Sequence, residues 1–404
     1  MSQPPLDPSS MPSGRLVLVG CGVVGSAIAA DHLRRGVPVT VADRDPEAVA
    51  RFARRATEFG CRTSEPVTDR RLDNLAAVSI APNGPPAIQS DGPWIAIESV
   101  AEDLSIKRGL FGQLQTALGR DAVFCSNTST IPIHRIADGQ PDPSRFCGMH
   151  FFMPVAQRPA VEIIAADQTD PNVIAVADKH ARRIGKTPLH VADTPGFVVN
   201  RLLSPYLNES LLMLGQGVTA GQLADAAERL SMAMSPLRLI DTIGIRTAFD
   251  AGRFFWQSFP HRVHPSPILA RLIKLGRRQT APVQILGPDD RTLSTTTAEV
   301  VLRYQTGDAS GLPPDDIAAR LLTVMIAESE HMRVDGLQIN DQILNTALTG
   351  GLGWQSPAVR LDHPNAPPAQ TWTELAGSLP PARRQTILTQ YAHQSPALTP
   401  PPAP

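Results

Sequence analysis

The run Leu16-Val17-Leu18-Val19, closed at once by Gly20-Cys21-Gly22-Val23-Val24-Gly25, restricts the fold of this chain more than any other stretch. The first four residues are apolar and rich in β-branching, the pattern of a buried strand. Ser26 to Arg35 reads as a helix closed by Gly36, and Val37 to Ala42 as a second strand ending at Asp43. Strand, glycine turn, helix, strand and acid in that order make a dinucleotide-binding unit. Gly20 permits the tight turn, Gly22 lets backbone approach a pyrophosphate, and Gly25 lets helix pack on strand. Val23 and Val24 lie within this turn, and the N-terminus of the helix that follows it faces the phosphates. Asp43 suits a ribose diol and would repel a 2′-phosphate, so NAD is expected over NADP. Arg44 reads as a solvated residue after the strand; a phosphate-binding role usually comes without the acid beside it.

The alternation continues. Trp94 to Glu98 and Ala122 to Cys125 read as buried parallel strands with a helix over Ser105 to Leu118 between them. Pro46 to Leu75 reads as mostly helical and basic, Ala160 to Ala165 as a late strand, and Pro171 to Ile184 as a helix before Gly185. The first half is therefore α/β and doubly wound, a Rossmann-type domain. After Gly196 the chain turns mainly α-helical and contains a repeat. Arg201-Leu202-Leu203, Glu209 and Gly217 recur as Arg320-Leu321-Leu322, Glu328 and Gly336, each 119 residues on, and Ser235-Pro236 is echoed by Ser356-Pro357. Two copies of one helical unit explain it. The expected partition is a poorly ordered N-terminus over 1–13, a dinucleotide domain over 14–194, helical copies over 195–300 and 301–363, and a Pro-rich, poorly ordered tail over 364–404. His261 to Thr296 is the least readable stretch.

Composition removes several function classes. A formal net charge of -1 over 404 residues gives no electrostatic reason for nucleic acid or an anionic membrane as partner. Cys21, Cys61, Cys125 and Cys147 show no metal-ligand or C-x-x-C spacing, so reduced thiols and no metal are expected. Met1 to Ser13 lack the basic and apolar regions of a signal peptide, and no apolar run reaches membrane-spanning length; a soluble cytoplasmic protein is the expectation.

The chemistry concentrates in Ser126-Asn127-Thr128-Ser129, His150-Phe151-Phe152, Glu162 and Asp193-Thr194-Pro195-Gly196-Phe197-Val198-Val199-Asn200-Arg201. A histidine with a carboxylate partner takes the proton of a secondary alcohol, while a hydroxyl and a carboxamide hold the same oxygen as hydride leaves its carbon. Taken alone, His150 reads as a buried histidine satisfied by backbone. Glu162, an acid in the apolar run Val161 to Ile164, changes that, because a buried carboxylate needs a partner. The serine loop has the local chemistry of a cap between strand and helix as well, and the two readings are compatible.

From about Leu16 to about Ile245 these residues and spacings resemble the L-3-hydroxyacyl-CoA dehydrogenase family. The resemblance implies that His150 is the acid/base, that Glu162 orients it, and that Ser129 and Asn200 contact the substrate oxygen. Glu102, Lys107 and Asn127 match positions near the cofactor, and the basic segment after Pro46 matches one that touches CoA. Without the resemblance, Glu102 reads as a helix-start acid, and Lys107 and Arg51, Arg54, Arg55, Arg70 and Arg71 as solvated cations. Asp193 to Gly196 is a turn by local chemistry that, by resemblance, links two domains. Family members with a duplicated C-terminal domain usually carry an enoyl-CoA hydratase portion too, and this chain has no room for one.

Two departures concern acyl choice. Met153 stands where the family has asparagine, and Ser235-Pro236-Leu237, near Met232 and Met234, stands for its Gly-Pro-Phe. The expected activity is NAD-dependent oxidation of a 3-hydroxyacyl-CoA to the 3-oxoacyl-CoA and the reverse, of the fatty-acid β-oxidation type. An acyl-CoA is the expected substrate and a separate hydratase or thiolase a candidate partner. The second helical copy, with Ala319 in place of Asn200, is expected to be structural, making the chain a monomer with an internal pseudo-dimer. Two rivals stay open: a dehydrogenase of a carrier-linked or free small hydroxy acid, and a non-catalytic cofactor-binding scaffold.

Overall fold

A computed structural model describes residues 15–58, 61–63, 76–81, 94–119, 121–262, 264–277, 283–355, 361 and 369–391. The chain divides into two compact units, Met1–Phe197 and Val198–Pro404.

The first unit begins with β1 (Arg15–Val19), α1 (Val23–Arg34), β2 (Val39–Asp43) and α2 (Pro46–Glu58), followed by β3 (Arg62–Thr63), β4 (Ala76–Ala81), β5 (Trp94–Glu98) and α3 (Leu104–Leu118). It continues with β6 (Val123–Ser126), α4 (Ile133–Ala137), β7 (Phe146–Phe151), β8 (Ala160–Ala165), α5 (Pro171–Arg183) and β9 (Thr187–Ala192). The nine strands form one sheet in the order β3-β4-β2-β1-β5-β6-β7-β8-β9. The central five, β2 to β7, are parallel, as a Rossmann-type unit requires. Leu18, Val41, Ala96, Ile97 and Val123 are fully buried, so these strands read as continuous apolar runs covered on both faces.

Both ends of the sheet turn antiparallel. At one end β4 pairs with β2, and at the other β8 pairs with β7 while β9 runs parallel to β8. The helix expected from Pro46 to Leu75 stops at Glu58, and Arg62–Thr63 is already a strand. The basic side chains hid the break, while Cys61-Arg62-Thr63 suits an edge strand. Residues 64–75, with Arg70 and Arg71, lie outside the described residues. Arg51, Arg54 and Arg55 are exposed on α2, opposite buried Val49, Phe52 and Ala56.

The second unit comprises α6 (Val199–Gly215), α7 (Ala220–Arg229), α8 (Pro236–Ile243), α9 (Ile245–Ser258), α10 (Ile268–Gly276) and α11 (Thr295–Arg303). After these come α12 (Pro314–Val334), α13 (Asp341–Thr346), a π-helical turn over Ala347–Leu352, α14 (Trp372–Gly377) and α15 (Pro381–Tyr391). The repeat appears directly: α6 and α12 pack on each other and both end before a glycine with positive φ, Gly217 at 97° and Gly336 at 86°. The two copies are interleaved in one compact unit, so no spatial division falls at 300/301. Ser356 and Pro357 lie outside the described residues.

Within the tail expected to be poorly ordered over 364–404, the described residues 369–391 carry α14 and α15. Thr371 caps α14 by accepting from Glu374 N, and Trp372, Leu375 and Leu379 are buried. Arg383 ties α15 to Asp316 of α12 at 2.5 Å. High Pro and Ala content hid three apolar anchors at helical spacing.

Candidate active site

The glycine turn has the shape that a dinucleotide needs. Gly20 has φ 106°, and a Cβ there would lie 2.3 Å from the Ser99 carbonyl oxygen; one on Gly25 would lie 1.8 Å from the Gly20 oxygen. Neither position admits a side chain. Gly22 differs: nothing stands within 4 Å of its would-be Cβ, and it opens α1 without a side-chain cap. Open space against an uncapped helix N-terminus is where a pyrophosphate fits. Val23 is exposed there, whereas Val24 packs on the core. Asp43 closes the turn from the end of β2, its Oδ2 accepting from Cys21 N at 2.6 Å and its Oδ1 from Asp45 N at 2.9 Å. Burial, then Asp43 and Asp45, push the Cys21 thiol up to about 12, which keeps it protonated. These residues fit NAD.

At the C-terminal ends of β5 and β6 lies a charged cluster that the sequence reading half missed. Glu98 is fully buried; it accepts from Lys107 Nζ at 2.7 Å, Ser126 Oγ at 2.6 Å and Val100 N at 2.7 Å. Lys107, only 1% exposed, also meets Glu102 at 3.2 Å. Glu102 Oε1 accepts from the hydroxyls of Thr128 and Thr130 and from the backbone N–H groups of Ser129 and Thr130, at 2.7 to 3.1 Å. Burial raises the Glu102 carboxyl, but the Lys107 charge and the threonine hydroxyls outweigh it and hold it below the ordinary value. Burial likewise disfavours the charged Lys107, yet Glu98 and Glu102 reverse that and raise it. Lys107 is thus a buried counter-ion, not a solvated cation. Glu98 went unremarked as a site residue; an acid ending an apolar strand, with a lysine nine residues on, was the available signal.

Asn127 joins this cluster to the next strand. Its Nδ2 donates to Ser99 Oγ at 3.3 Å and its Oδ1 accepts from Phe151 N at 2.8 Å. One residue before Phe151, His150 faces Glu162 directly across the antiparallel β7–β8 pair. His150 Nδ1 and Glu162 Oε2 are 2.8 Å apart, with His150 6% exposed and Glu162 fully buried. An ionised carboxylate only accepts, so Nδ1 carries the hydrogen and the lone pair of the neutral ring lies on Nε2. Phe152 stands edge-on to the imidazole at 4.9 Å and Phe197 is tilted at 6.0 Å.

Met153 packs against the hydrophobic core of the first unit. Asp193 of the predicted linking turn accepts from Ile133 N at 2.6 Å and His134 N at 2.7 Å, capping α4 behind the serine loop. Gly196 and Phe197 follow with φ of 77° and 52°. Asn200 stands in the second unit, in the first turn of α6. Ser235, from the second departure, caps α8 by accepting from Arg238 N at 3.2 Å. The sequence-predicted residues thus assemble into a glycine turn with Asp43, a loop cluster holding Ser129, Asn127, Glu102 and Lys107, and the His150–Glu162 pair. No helix among the described residues is long and apolar enough to cross a membrane.

Two family models match: the 3-hydroxyacyl-CoA dehydrogenase NAD binding domain over residues 15–194 and the C-terminal domain of the same family over 196–284. The crystal structure of FadB2 from M. tuberculosis is 30% identical, covers 68% of this chain and 96% of its own, and superposes with a TM-score of 0.53. A 3-hydroxybutyryl-CoA dehydrogenase from Escherichia coli K12, 21% identical, covers 96% of this chain and 97% of its own with a TM-score of 0.67, so its overall fold runs through both helical copies. The fatty acid oxidation complex subunit alpha of Idiomarina loihiensis is 29% identical over 348 residues, 83% of this chain. The chain spans about half the length of that relative, 48%. With both domain models matched in order and a relative at 30% identity covered almost end to end, the chain belongs to the 3-hydroxyacyl-CoA dehydrogenase family of NAD-dependent oxidoreductases.

Proposed function

We propose that the chain interconverts a 3-hydroxyacyl-CoA and its 3-oxoacyl-CoA, with His150 as acid/base. The observation that carries this reading is the buried His150–Glu162 pair at 2.8 Å, which leaves Nε2 as the basic atom. In oxidation Nε2 takes the proton of the substrate hydroxyl, and Glu162 stabilises the imidazolium that forms. Ser129 donates to the substrate oxygen from a loop whose backbone Glu102 fixes. The family resemblance adds Asn200 as a carboxamide contact to the substrate. Bound NAD supplies the hydride acceptor. The buried Glu98–Lys107–Glu102 cluster supports the cofactor end by keeping the serine loop in one conformation. Names of relatives that include 3-hydroxybutyryl-CoA dehydrogenase and a fatty acid oxidation complex subunit support a CoA thioester as substrate, with a separate hydratase or thiolase as partner.

The same reading takes the chain as a monomer whose second helical copy occupies the face that a single-copy relative would use to dimerise. The test of the reaction is NADH absorbance with acetoacetyl-CoA and longer 3-oxoacyl-CoAs, against the corresponding free acids. Oxidation of NADH that requires the CoA portion supports it; equal rates with free acids would move the substrate class to small hydroxy acids.

A further inference from the structure

Arg201 and Arg320 are buried where the two helical copies meet, 0% and 1% exposed. Each reaches into the other copy. Arg201 Nε donates to Glu328 Oε1 and Nη2 to Asp335 Oδ2, both at 2.6 Å. Arg320 Nε donates to Glu209 Oε1 at 2.5 Å and Nη1 to Gln216 Oε1 at 2.7 Å. Residues 201, 209 and 216 correspond to 320, 328 and 335, all 119 apart, so the contacts are reciprocal, as across a two-fold axis.

The symmetry fails in two places, and both concern the same end of α6. The residue before Arg201 is Asn200, whereas the residue before Arg320 is Ala319. Opposite Arg320 stands the neutral Gln216; opposite Arg201 stands Asp335, whose two oxygens also accept from Arg262 at 2.7 Å each. The guanidinium carbons of Arg201 and Arg262 both lie 4.6 Å from the centre of the Phe259 ring. Extra partly buried charge costs desolvation, and on the Arg320 side an amide in that place accepts the corresponding bond. The heavier network therefore needs a reason beyond holding two helices together. α6 begins at Val199, and Val199, Arg201 and Leu202 of its first turn are buried, so the position of Arg201 bears on the whole turn that carries Asn200.

We propose that Glu328 and Asp335, contributed by the second helical copy, are positioning residues for Asn200. By gripping Arg201 in the first turn of α6 they hold the adjacent carboxamide in one place. The inference rests on the reading of Asn200 as a substrate contact.

Four variants of the full chain test it: Glu328→Gln, Asp335→Asn, the mirror control Glu209→Gln, and Asn200→Ala. With acetoacetyl-CoA and NADH as substrates, Glu328→Gln and Asp335→Asn should lower kcat about ten- to a hundredfold, the scale of a misplaced catalytic contact. KM for NADH should stay within about twofold, and in an Asn200→Ala background Glu328→Gln should add less than about twofold in kcat. Glu209→Gln should lower the Tm while keeping kcat within about threefold. If Glu209→Gln lowers kcat as far as Glu328→Gln does, the network is only structural and the proposal is overturned. Wild-type kcat in Glu328→Gln and Asp335→Asn alongside a defective Asn200→Ala overturns it too, leaving the reading of Asn200 intact. Wild-type kcat in Asn200→Ala removes that reading and this one together. Asp335, an exposed residue, carries the test if Glu328→Gln does not fold.

Discussion

Acid should destabilise the first unit through two buried histidines that take no part in the proposed chemistry. His32 of α1 and His180 of α5 are stacked with ring centroids 5.1 Å apart and Nε2 atoms 3.0 Å apart, and His32 stands edge-on to Phe151 at 6.1 Å. His32 Nδ1 lies 2.8 Å from the Ile28 carbonyl, which only accepts, so that nitrogen carries the hydrogen. The shared hydrogen between the rings must then come from His180 Nε2, and a proton added to His32 would point at it. Burial lowers His32 from 6.5 to about 4, against the Ile28 carbonyl and Asp31 and with help from Lys186 and Arg183. His180 is lowered by burial, then His32 and Arg183.

Between pH 6.5 and 4 the unfolded chain therefore binds more protons at His32 than the folded one. Its contribution is fully present above pH 6.5 and is lost as pH falls toward 4. At 1.36 kcal/mol per pK unit the whole loss is about 3 kcal/mol, of which roughly 2 falls between pH 7 and pH 5. His180 adds in the same direction. The assay is urea unfolding at pH 7 and pH 5, for wild type and for His32→Leu/His180→Leu. The double variant removes both titrating rings, and Ile28 keeps its helical hydrogen bond. The difference between the two proteins cancels every other titrating group. Wild type should lose at least about 2 kcal/mol more than the double variant; equal losses would refute the assignment of neutral, mutually bonded rings.

His150→Gln should lower kcat by about two to four orders of magnitude with little change in NADH binding, and near-normal turnover would remove His150 as the acid/base. Glu162→Gln should give a smaller loss with an altered pH profile; an unchanged profile would uncouple it from the base. Gly25→Ala should fail to fold stably because its Cβ meets the Gly20 oxygen, whereas Gly22→Ala should keep the wild-type Tm and weaken NADH binding about tenfold or more, as read by fluorescence titration. NADH should be preferred over NADPH because of Asp43, and comparable kcat/KM for both would hand the site to exposed Arg44. Light scattering should find the intact chain monomeric and a truncation after about Ser310 dimeric or aggregated; a dimeric intact chain would end the pseudo-dimer reading.

The glycine turn, the central parallel strands and the His150–Glu162 pair were legible because each is fixed by contacts close in sequence or by a strand register that one hairpin sets. What escaped reading depends on distant partners. Nothing near Glu98 in sequence says that Ser126 will be its partner, 28 residues on, and Lys107 looked solvated because its burial is decided by two carboxylates acting together. The antiparallel β4 follows residues whose polar composition resembles a solvated helix. Residues 369–391 escaped reading for a related reason: Trp372, Leu375 and Leu379 are too few to outweigh the surrounding Pro and Ala by composition, yet they are buried where α12 and Asn345 offer partners.

The duplication itself was visible as a constant offset, but its mechanical consequence was not. In an isologous dimer of identical chains, each contact must use the same residues on both sides, so a network built to hold one helix end is necessarily built twice. Two copies in one chain lift that constraint. Ala319 can replace the carboxamide on the copy where, fully buried in α12, an amide would need a hydrogen-bond partner of its own. Asp335 can be acidic while Gln216 stays neutral, and Arg262 then has a carboxylate to meet. The asymmetry is thus concentrated at the end of α6 that carries Asn200, and the helical core shared by both copies keeps its reciprocal arginine–glutamate pairs.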